Sequence, residues 1–299
     1  MRAGWSAIVR PAPLLFLALV VGSSCGPAHH PGDYRLASVP DMTEVGPSAC
    51  MAWFEANAVT SETVEFVESH SRALELTVEE LTELVAAVDG VRVKTRRNVN
   101  DPGKPGLKEP SKVEEKIYRD LVKSKDRWDR YEAGESNRKG DFPKNATPAE
   151  ARRMVFGAAP EHPVAIRDVA GVRLIGPDLA KVRTVEGAVR KRYGKDIIRF
   201  KDFLGEHYRG DGYRSVHFVI VQDKKPVEIQ VRTEAQNRWA RWEHRLVYKG
   251  RFKNNGTVRD YARTVAEVLH QRETDNCPPP CKLPECPDIL QQAKRCFTE

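Results

Sequence analysis

Three short segments near the middle of the chain alternate apolar and polar residues, and this alternation restricts the fold most. The segments are residues 171–175, 213–221 and 227–233. Because successive side chains of a strand point to opposite faces, the pattern predicts strands of one sheet with an apolar face. The residues predicted to lie in the core beneath it are Val172, Leu174, Val216, Phe218, Ile220, Val227, Ile229 and Val231.

Helical patterns surround these strands. Capping residues followed by apolar residues at helical spacing mark the predicted helix starts, which are Thr77, Ser111, Thr147, Asp178 and about Glu234. Residues 96–110 hold three prolines without periodicity and are predicted to form a loop, and the charged segment 124–146 is predicted to be exposed.

The opposite face of the predicted sheet concentrates groups that bind phosphate, metal and base. Its members are Arg173, Tyr213, Ser215, His217, Glu228, Gln230 and Arg232. Asp168, directly before one strand, and Glu228, at the start of another, offer the hard oxygen ligands that Mg²⁺ prefers. The alternative interpretations are ion pairs between these acids and nearby arginines, and an ordinary solvated face for the whole set.

The composition limits the classes of protein without choosing one. Charged residues make up 30% of the 299 residues and the mean hydropathy is −0.55, values that exclude a multi-span membrane protein. The chain has 49 Lys and Arg against 42 Asp and Glu, a net charge of +7. This excess suits a polyanion such as a nucleotide or RNA, but it is equally common on proteins that bind neither.

The first residues resemble an export signal. Arg2 and Arg10 precede an apolar run over residues 14–21, and small residues lead into Cys25, as at a bacterial lipoprotein cleavage site. We therefore expect a leader over 1–24, a linker over 25–48, and an exported protein whose membrane attachment would be a lipid on Cys25. The alternatives are an uncleaved anchor or a start codon placed too early, and a cytoplasmic protein if the leader does not function.

The predicted tail, residues 256–299, consists of a helix followed by a segment rich in cysteine and proline. Its cysteines are Cys277, Cys281, Cys286 and Cys296. Disulfides would stabilise a segment with so little apolar surface, and their formation agrees with export. A zinc site is the less favoured interpretation, because the spacing lacks paired C-x-x-C elements.

Four motifs occur in an order that resembles the RelA/SpoT synthetase domain. They are Asp168 to Arg173 (DVAGVR), Lys201 to Phe203 (KDF), Gly212 to His217 (GYRSVH) and Glu228 to Thr233 (EIQVRT). The resemblance covers roughly residues 50–255, so the predicted synthetase domain is 49–255. The chain lacks the His-Asp dipeptide of the family's hydrolase domain and therefore resembles small, hydrolase-lacking alarmone synthetases or related toxins.

The resemblance implies a mixed α/β (α+β) fold, with a nucleotidyltransferase-like mixed sheet flanked by helices. It also implies transfer of the diphosphate of ATP to the 3′-hydroxyl of GDP or GTP, in guanosine tetraphosphate (ppGpp) metabolism, with Mg²⁺ held by Asp168 and Glu228. Glu228 is the candidate base for the attacking hydroxyl. The implied ATP-binding residues are Arg92, Lys94, Lys116 and Arg173. The implied acceptor-binding residues are Lys201, Arg209, Tyr213, Ser215, His217, Gln230 and Arg232.

One departure from the family pattern keeps two other functions open. Where relatives have P-K-x-N, this chain has Tyr208 to Asp211 (YRGD), which exchanges an amide for a carboxylate. An exported toxin that pyrophosphorylates adenosine nucleotides or tRNA 3′ ends is the second interpretation. A catalytically silent domain that binds nucleotide or RNA is the third. The sequence indicates no oligomeric state.

Overall fold

A computed structural model describes residues 59–98, 103–274 and 282–298. The described helices are α1 (Ser61–Glu68), α2 (Ser71–Val85), α3 (Pro110–Glu132), α4 (Pro148–Phe156), α5 (Leu179–Tyr193), α6 (Glu234–Glu243), α7 (Gly256–Glu273) and α8 (Asp288–Gln292). The described strands are β1 (Arg92–Arg97), β2 (Pro105–Gly106), β3 (Ala170–Gly176), β4 (Ile197–Asp202), β5 (Val216–Gln222) and β6 (Lys225–Thr233). The predicted leader and linker, Cys25, Cys277 and Cys281 lie outside the described residues.

The strands form one mixed sheet in the order β2-β1-β3-β6-β5-β4. Strands β3 and β6 are parallel and adjacent, and the other neighbouring pairs are antiparallel. Helices α2 and α5 pack against the sheet. The predicted mixed α/β class is thus confirmed.

The apolar face of the sheet is the main core, as the alternation predicts. Each of the eight residues assigned to this face is at most 1% exposed. Side chains of α2 and α5, among them Leu74, Leu81, Val182 and Val189, complete the cluster. Burial of so many branched side chains orients the sheet and leaves its other face for polar groups.

Local capping patterns were only partly reliable. The predicted capping box at Thr147 is confirmed, because its hydroxyl accepts from Glu150 N at 3.2 Å and its own N–H donates to the Glu150 carboxylate at 2.8 Å. The prediction that a helix begins at Thr77 is wrong. Helix α2 begins at Ser71, and the Thr77 hydroxyl donates instead to the Ala73 carbonyl at 2.7 Å.

Three element boundaries and one additional strand also differ from the predictions. Helix α3 continues to Glu132, well into the segment predicted to be exposed, because Leu121 and Ser124 remain buried on its inner side. Residues 96–110 include the end of β1 and all of β2. Strand β4 was not predicted, and β5 begins at Val216 rather than Tyr213.

A second apolar cluster joins α6, α7 and the tail. It includes Trp239, Val265, Leu290 and Phe297, and a disulfide links Cys286 to Cys296 within the same region. This bond agrees with the prediction of an oxidised tail for that pair. Across the parts of the chain that the structure describes, no helix combines the length and apolar character needed to span a membrane.

Candidate active site

A row of polar residues crosses the face of the sheet opposite the core. Residues paired in neighbouring strands project to the same face, so the register identifies which side chains lie side by side. Lys94 pairs with Arg173, Arg173 with Gln230, Gln230 with His217, and His217 with Lys201. The structure therefore aligns five of the predicted site residues across five strands.

Glu228 lies beside this row and both of its carboxylate oxygens are held. Its Oε1 is 3.1 Å from Nδ1 of His217, and its Oε2 accepts from Nε2 of Gln230 at 2.8 Å. The other ring nitrogen of His217 is 2.7 Å from the hydroxyl of Tyr213. Tyr213 and Glu228 thus bind the two opposite nitrogens of one imidazole ring, so the network fixes the orientation of the Tyr213 and His217 side chains.

This network also controls the charge on Glu228. Burial by itself would raise the pKa of the carboxyl group, but the hydrogen bond and the charge interaction with His217 outweigh it and hold the pKa below its ordinary value. The nearby Asp168 acts in the opposite direction and raises the pKa of Glu228. Glu228 is thus ionised at neutral pH and lies within electrostatic reach of a second carboxylate.

Asp168 precedes β3 and is surrounded by cations. Nζ of Lys108 lies 2.5 Å from its Oδ2, and the Arg96 guanidinium donates to the carbonyl oxygens of Asp168 and Val169 at 3.1 and 2.8 Å. Burial would raise the pKa of Asp168, but Lys108, Lys116 and Arg96 hold it below its ordinary value. Its Oδ1 is buried and accepts no hydrogen bond from any described residue. That oxygen is therefore available to a cationic ligand.

Arginines crowd the centre of the face. Burial lowers the pKa of Arg173, and the positive charges of Arg96 and Arg241 lower it further. Arg232 is only 3% exposed and donates to Oε1 of Gln230 at 3.2 Å. Guanidinium groups that lie close enough to repel one another are stabilised by an anion that they can share, and phosphate oxygens match their planar geometry.

Aromatic and basic groups from β4 and from its connection to β5 lie at the other end of the row. The ring of Tyr213 makes edge-to-face contacts with Phe203 and with His217, both with 5.7 Å between ring centroids. Arg209 and Lys201 lie over the Phe203 ring at 4.9 and 5.8 Å. This side of the site therefore combines flat rings with cations, as a nucleotide requires.

Three predicted site residues do not join this cluster directly. Placement of Ser215 on the open face is wrong, since the residue is fully buried and its hydroxyl donates to the Val231 carbonyl at 3.2 Å. Arg92 forms an ion pair with Glu234. On β3, Arg92 is paired with Ile175 and Glu228 is paired with Gly171, so the two positions lie four residues, about 13 Å, apart along that strand. Lys116 pairs with Asp120 at 3.2 Å, although its charge still acts on Asp168.

Four residues of the site were absent from the predicted set: Arg96, Lys108, Arg241 and His244. His244 lies in a π-helical turn, His244–Tyr248, where burial and the charges of Lys249, Arg173 and Arg232 lower its pKa. Lys108 and Arg96 come from the segment predicted to be a loop, whose sequence has no periodicity to reveal a side chain's direction. For Arg96, the one available signal is its position two residues after Lys94, where alternation along a strand places it on the same face as Lys94.

Two ionised carboxylates on a cationic sheet face are typical of a site for a polyphosphate and a divalent cation. Within the described residues, no group of three or more His, Cys, Asp or Glu side chains forms a cluster that could hold a metal ion.

Comparison with known proteins agrees with this class of site. Residues 152–253 match the family model "Region found in RelA / SpoT proteins". These residues thus match the RelA/SpoT region, and the resemblance inferred from the motifs is confirmed.

Two curated relatives from Bacillus subtilis (strain 168) are similar to part of the chain. GTP pyrophosphokinase YwaC is 29% identical over 113 residues, 35% of this chain and 53% of the relative. GTP pyrophosphokinase YjbM is 33% identical over 92 residues, 28% of this chain and 43% of the relative. The chain spans about half the length of the curated relatives it matches.

Among solved structures, a GTP pyrophosphokinase family protein from Streptococcus pneumoniae has a TM-score of 0.47 at 21% identity, covering 80% of this chain and all of that one. The small alarmone synthetase 1 of Bacillus subtilis, in a crystal structure bound to its product pppGpp, has a TM-score of 0.40 at 20% identity. That alignment covers 70% of this chain and 90% of the synthetase.

Proposed function

We propose that the protein is an ATP:nucleotide 3′-pyrophosphotransferase similar to GTP diphosphokinases. The observation that carries the proposal is the joint presence of Asp168 and Glu228, both kept ionised, beside a group of cations within the residues that match the RelA/SpoT region. Catalysis of phosphoryl transfer relies mainly on positioning and on charge stabilisation, which this face supplies.

In the proposed reaction, the 3′-oxygen of the acceptor forms a bond to the β-phosphorus of ATP. The bond between that phosphorus and the oxygen bridging to the α-phosphate breaks, AMP leaves, and the hydroxyl proton passes to a base. Glu228 would accept that proton while His217 and Gln230 hold its carboxylate in place. Arg173 and Arg232 would hold the phosphates in line, with Lys94 beside Arg173 in the same row.

The residues present fit a Mg²⁺ ion. Asp168 leaves Oδ1 without a hydrogen bond from the described residues, and the carboxylate of Glu228 lies within electrostatic reach. When bound there, Mg²⁺ would neutralise charge on the ATP phosphates. Lys108, Lys116 and Arg96 lower the pKa of Asp168 and so keep this ligand deprotonated.

For the acceptor we propose GDP or GTP, since the curated relatives are GTP pyrophosphokinases. Tyr213 would carry the acceptor base, and Lys201 and Arg209 would meet its phosphates. Asp211, the residue that departs from the family pattern, accepts from Tyr213 N at 3.0 Å and pairs with Arg209 at 3.2 Å. Its carboxylate thus orders the loop that bears the acceptor-side residues.

The experiment is a survey of acceptors. The full chain is incubated with ATP and Mg²⁺ and, separately, with GDP, GTP, ADP or tRNA, and AMP release is followed. We expect AMP with GDP or GTP. AMP with ADP or tRNA alone would support the toxin interpretation, and no AMP with any acceptor would leave only nucleotide or RNA binding.

We also propose that the protein is exported. The disulfide between Cys286 and Cys296 supports this, because such bonds persist in oxidising compartments. Mass spectrometry of the protein from its native host tests it. Removal of about 24 residues is expected. A lipid on Cys25 would indicate an envelope protein and favour the toxin interpretation, whereas an intact Met1 together with free thiols at Cys286 and Cys296 would indicate a cytoplasmic enzyme.

A further inference from the structure

One carboxylate of α7 binds the acceptor loop, defined here as residues 203–215 between β4 and β5. The hydroxyl of Tyr208 donates to Oε1 of Glu267, and the guanidinium of Arg214 donates to Oε2 at 2.7 Å. Arg214 also lies over the Tyr208 ring, 3.9 Å from its centroid. Arg214 is 6% exposed, and a charge so buried requires a partner.

Close packing between loop and helix accompanies these hydrogen bonds. Gly212 has a φ of +89°, which favours glycine, and a Cβ atom there would lie 2.9 Å from Cβ of Ala266 and 3.0 Å from the Trp239 ring. Its N–H donates to the Tyr208 hydroxyl at 3.3 Å. The acceptor loop is therefore seated directly on α7 at a position that only glycine can occupy.

The end of the acceptor loop contacts the residues proposed to bind and activate the acceptor. Tyr213 follows Gly212 immediately, its hydroxyl meets Nε2 of His217, and Nδ1 of the same ring meets Glu228. Few contacts therefore separate Glu267 from the candidate base. Helix α7 is itself attached to the sheet, because Glu273 accepts from Thr233, the last residue of β6, and from its neighbouring capping residue Gln236.

We propose that Glu267 is a positioning residue for the acceptor nucleotide, and that α7 belongs to the catalytic unit although it lies beyond residue 253, where the RelA/SpoT region ends. The proposal rests on the proposed function. By holding Tyr208 and Arg214, Glu267 places Tyr213 and Arg209 against the acceptor, and it leaves the ATP side of the site untouched.

The test uses the full chain with graded variants. Glu267→Gln removes the charge and keeps one acceptor oxygen, whereas Glu267→Ala removes both bonds and leaves Arg214 buried without its partner. Because the latter could unfold, Tyr208→Phe serves as the mild variant, since it deletes only one hydroxyl. Asp260→Asn is the matched control, because Asp260 is exposed on α7 and pairs only with Arg263 among the described residues.

Two measurements are made on each variant. Steady-state kinetics give the KM for the acceptor and for ATP, and hydrogen exchange followed by mass spectrometry gives the protection of residues 203–215. We expect Tyr208→Phe and Glu267→Gln to raise the acceptor KM about tenfold, with the ATP KM and the control unchanged. Exchange should accelerate in the acceptor loop and remain unchanged in β3 and β6.

Equal increases in both KM values, or unchanged exchange in the acceptor loop, would overturn the proposal. If the unaltered chain released no AMP with any acceptor, the proposed function would fail. The exchange measurement, which needs no turnover, would then still decide whether Glu267 holds the loop.

Discussion

The two ends of the candidate site are built differently. At the Asp168 end, Lys108, from the segment that follows β1, binds the carboxylate, and Arg96 of β1 binds the backbone carbonyl of the same residue, so the positive charges are held by the sheet and its connection. At the acceptor end, Tyr213 and Arg209 belong to a loop that depends on a helix outside the sheet. Changes at the first end should therefore alter catalysis and ATP binding, and changes at the second should alter the choice and affinity of the acceptor.

The largest effect is expected where the two ends meet, at Glu228. Glu228→Gln keeps the volume of the side chain but removes its charge and the proton-accepting group. Turnover measured with both substrates saturating should therefore fall about a thousandfold. Circular dichroism should show an intact fold, and Glu83→Gln, on the exposed side of α2, is the control. Turnover unchanged in Glu228→Gln would remove Glu228 from the chemistry.

Next in size is the loss of Lys108. Lys108→Met should raise the KM for ATP about tenfold or more, because the cation nearest Asp168 disappears. Lys108 lowers the pKa of Asp168, so without it that pKa rises, and activity should decline at a higher pH as the solution is acidified. Lys123→Met, on the exposed side of α3, is the control. An increase in the acceptor KM alone would contradict the division between the two ends.

Tyr213→Ala should act on the acceptor end only. Stacking on a base contributes about 1 to 3 kcal/mol, so acceptor affinity should fall about tenfold to a hundredfold while ATP affinity hardly changes. Tyr213→Phe, which keeps the ring and loses the bond to His217, should have the smaller effect. Calorimetric titration with the acceptor nucleotide and with ATP measures the two affinities for each variant. A lower melting temperature without a selective loss of acceptor affinity would show that the Tyr213 ring packs in the core and does not bind the acceptor base.

The smallest effect concerns stability at the acceptor end. Burial raises the pKa of Glu243 to about 7, and the charge of Asp211 contributes. The folded-state pKa of Glu243 exceeds the ordinary value of 4.5, so its contribution to the free energy of unfolding is fully present below pH 4.5. That contribution is lost as the pH rises through about 7, because the buried carboxyl group must then ionise. Glu243→Gln should therefore raise the melting temperature, relative to the unaltered chain, more at pH 8 than at pH 4. An equal difference at both pH values would contradict this assignment.

The sequence predicted the sheet better than it predicted the site. Alternation has a period of two, so Val172 to Leu174 and Val227 to Val231 revealed both the core and the residues of the opposite face. It failed at Ser215, because β5 begins one residue later and the backbone before it does not alternate. Lys108 was not predicted, because segment 96–110 has no periodicity from which the direction of a side chain could be inferred. The bonds from Tyr208 and Arg214 to Glu267 join residues 59 and 53 apart, a distance at which no local pattern operates.

The most direct test follows the phosphate itself. ATP labelled at the β-phosphate is incubated with the full chain, Mg²⁺ and GTP, and the products are separated. We predict that label moves to the guanosine nucleotide in step with AMP release, and that Glu228→Gln abolishes both. Label that stays on ATP, or leaves it only as ADP or free phosphate, would contradict pyrophosphate transfer to GTP by this site.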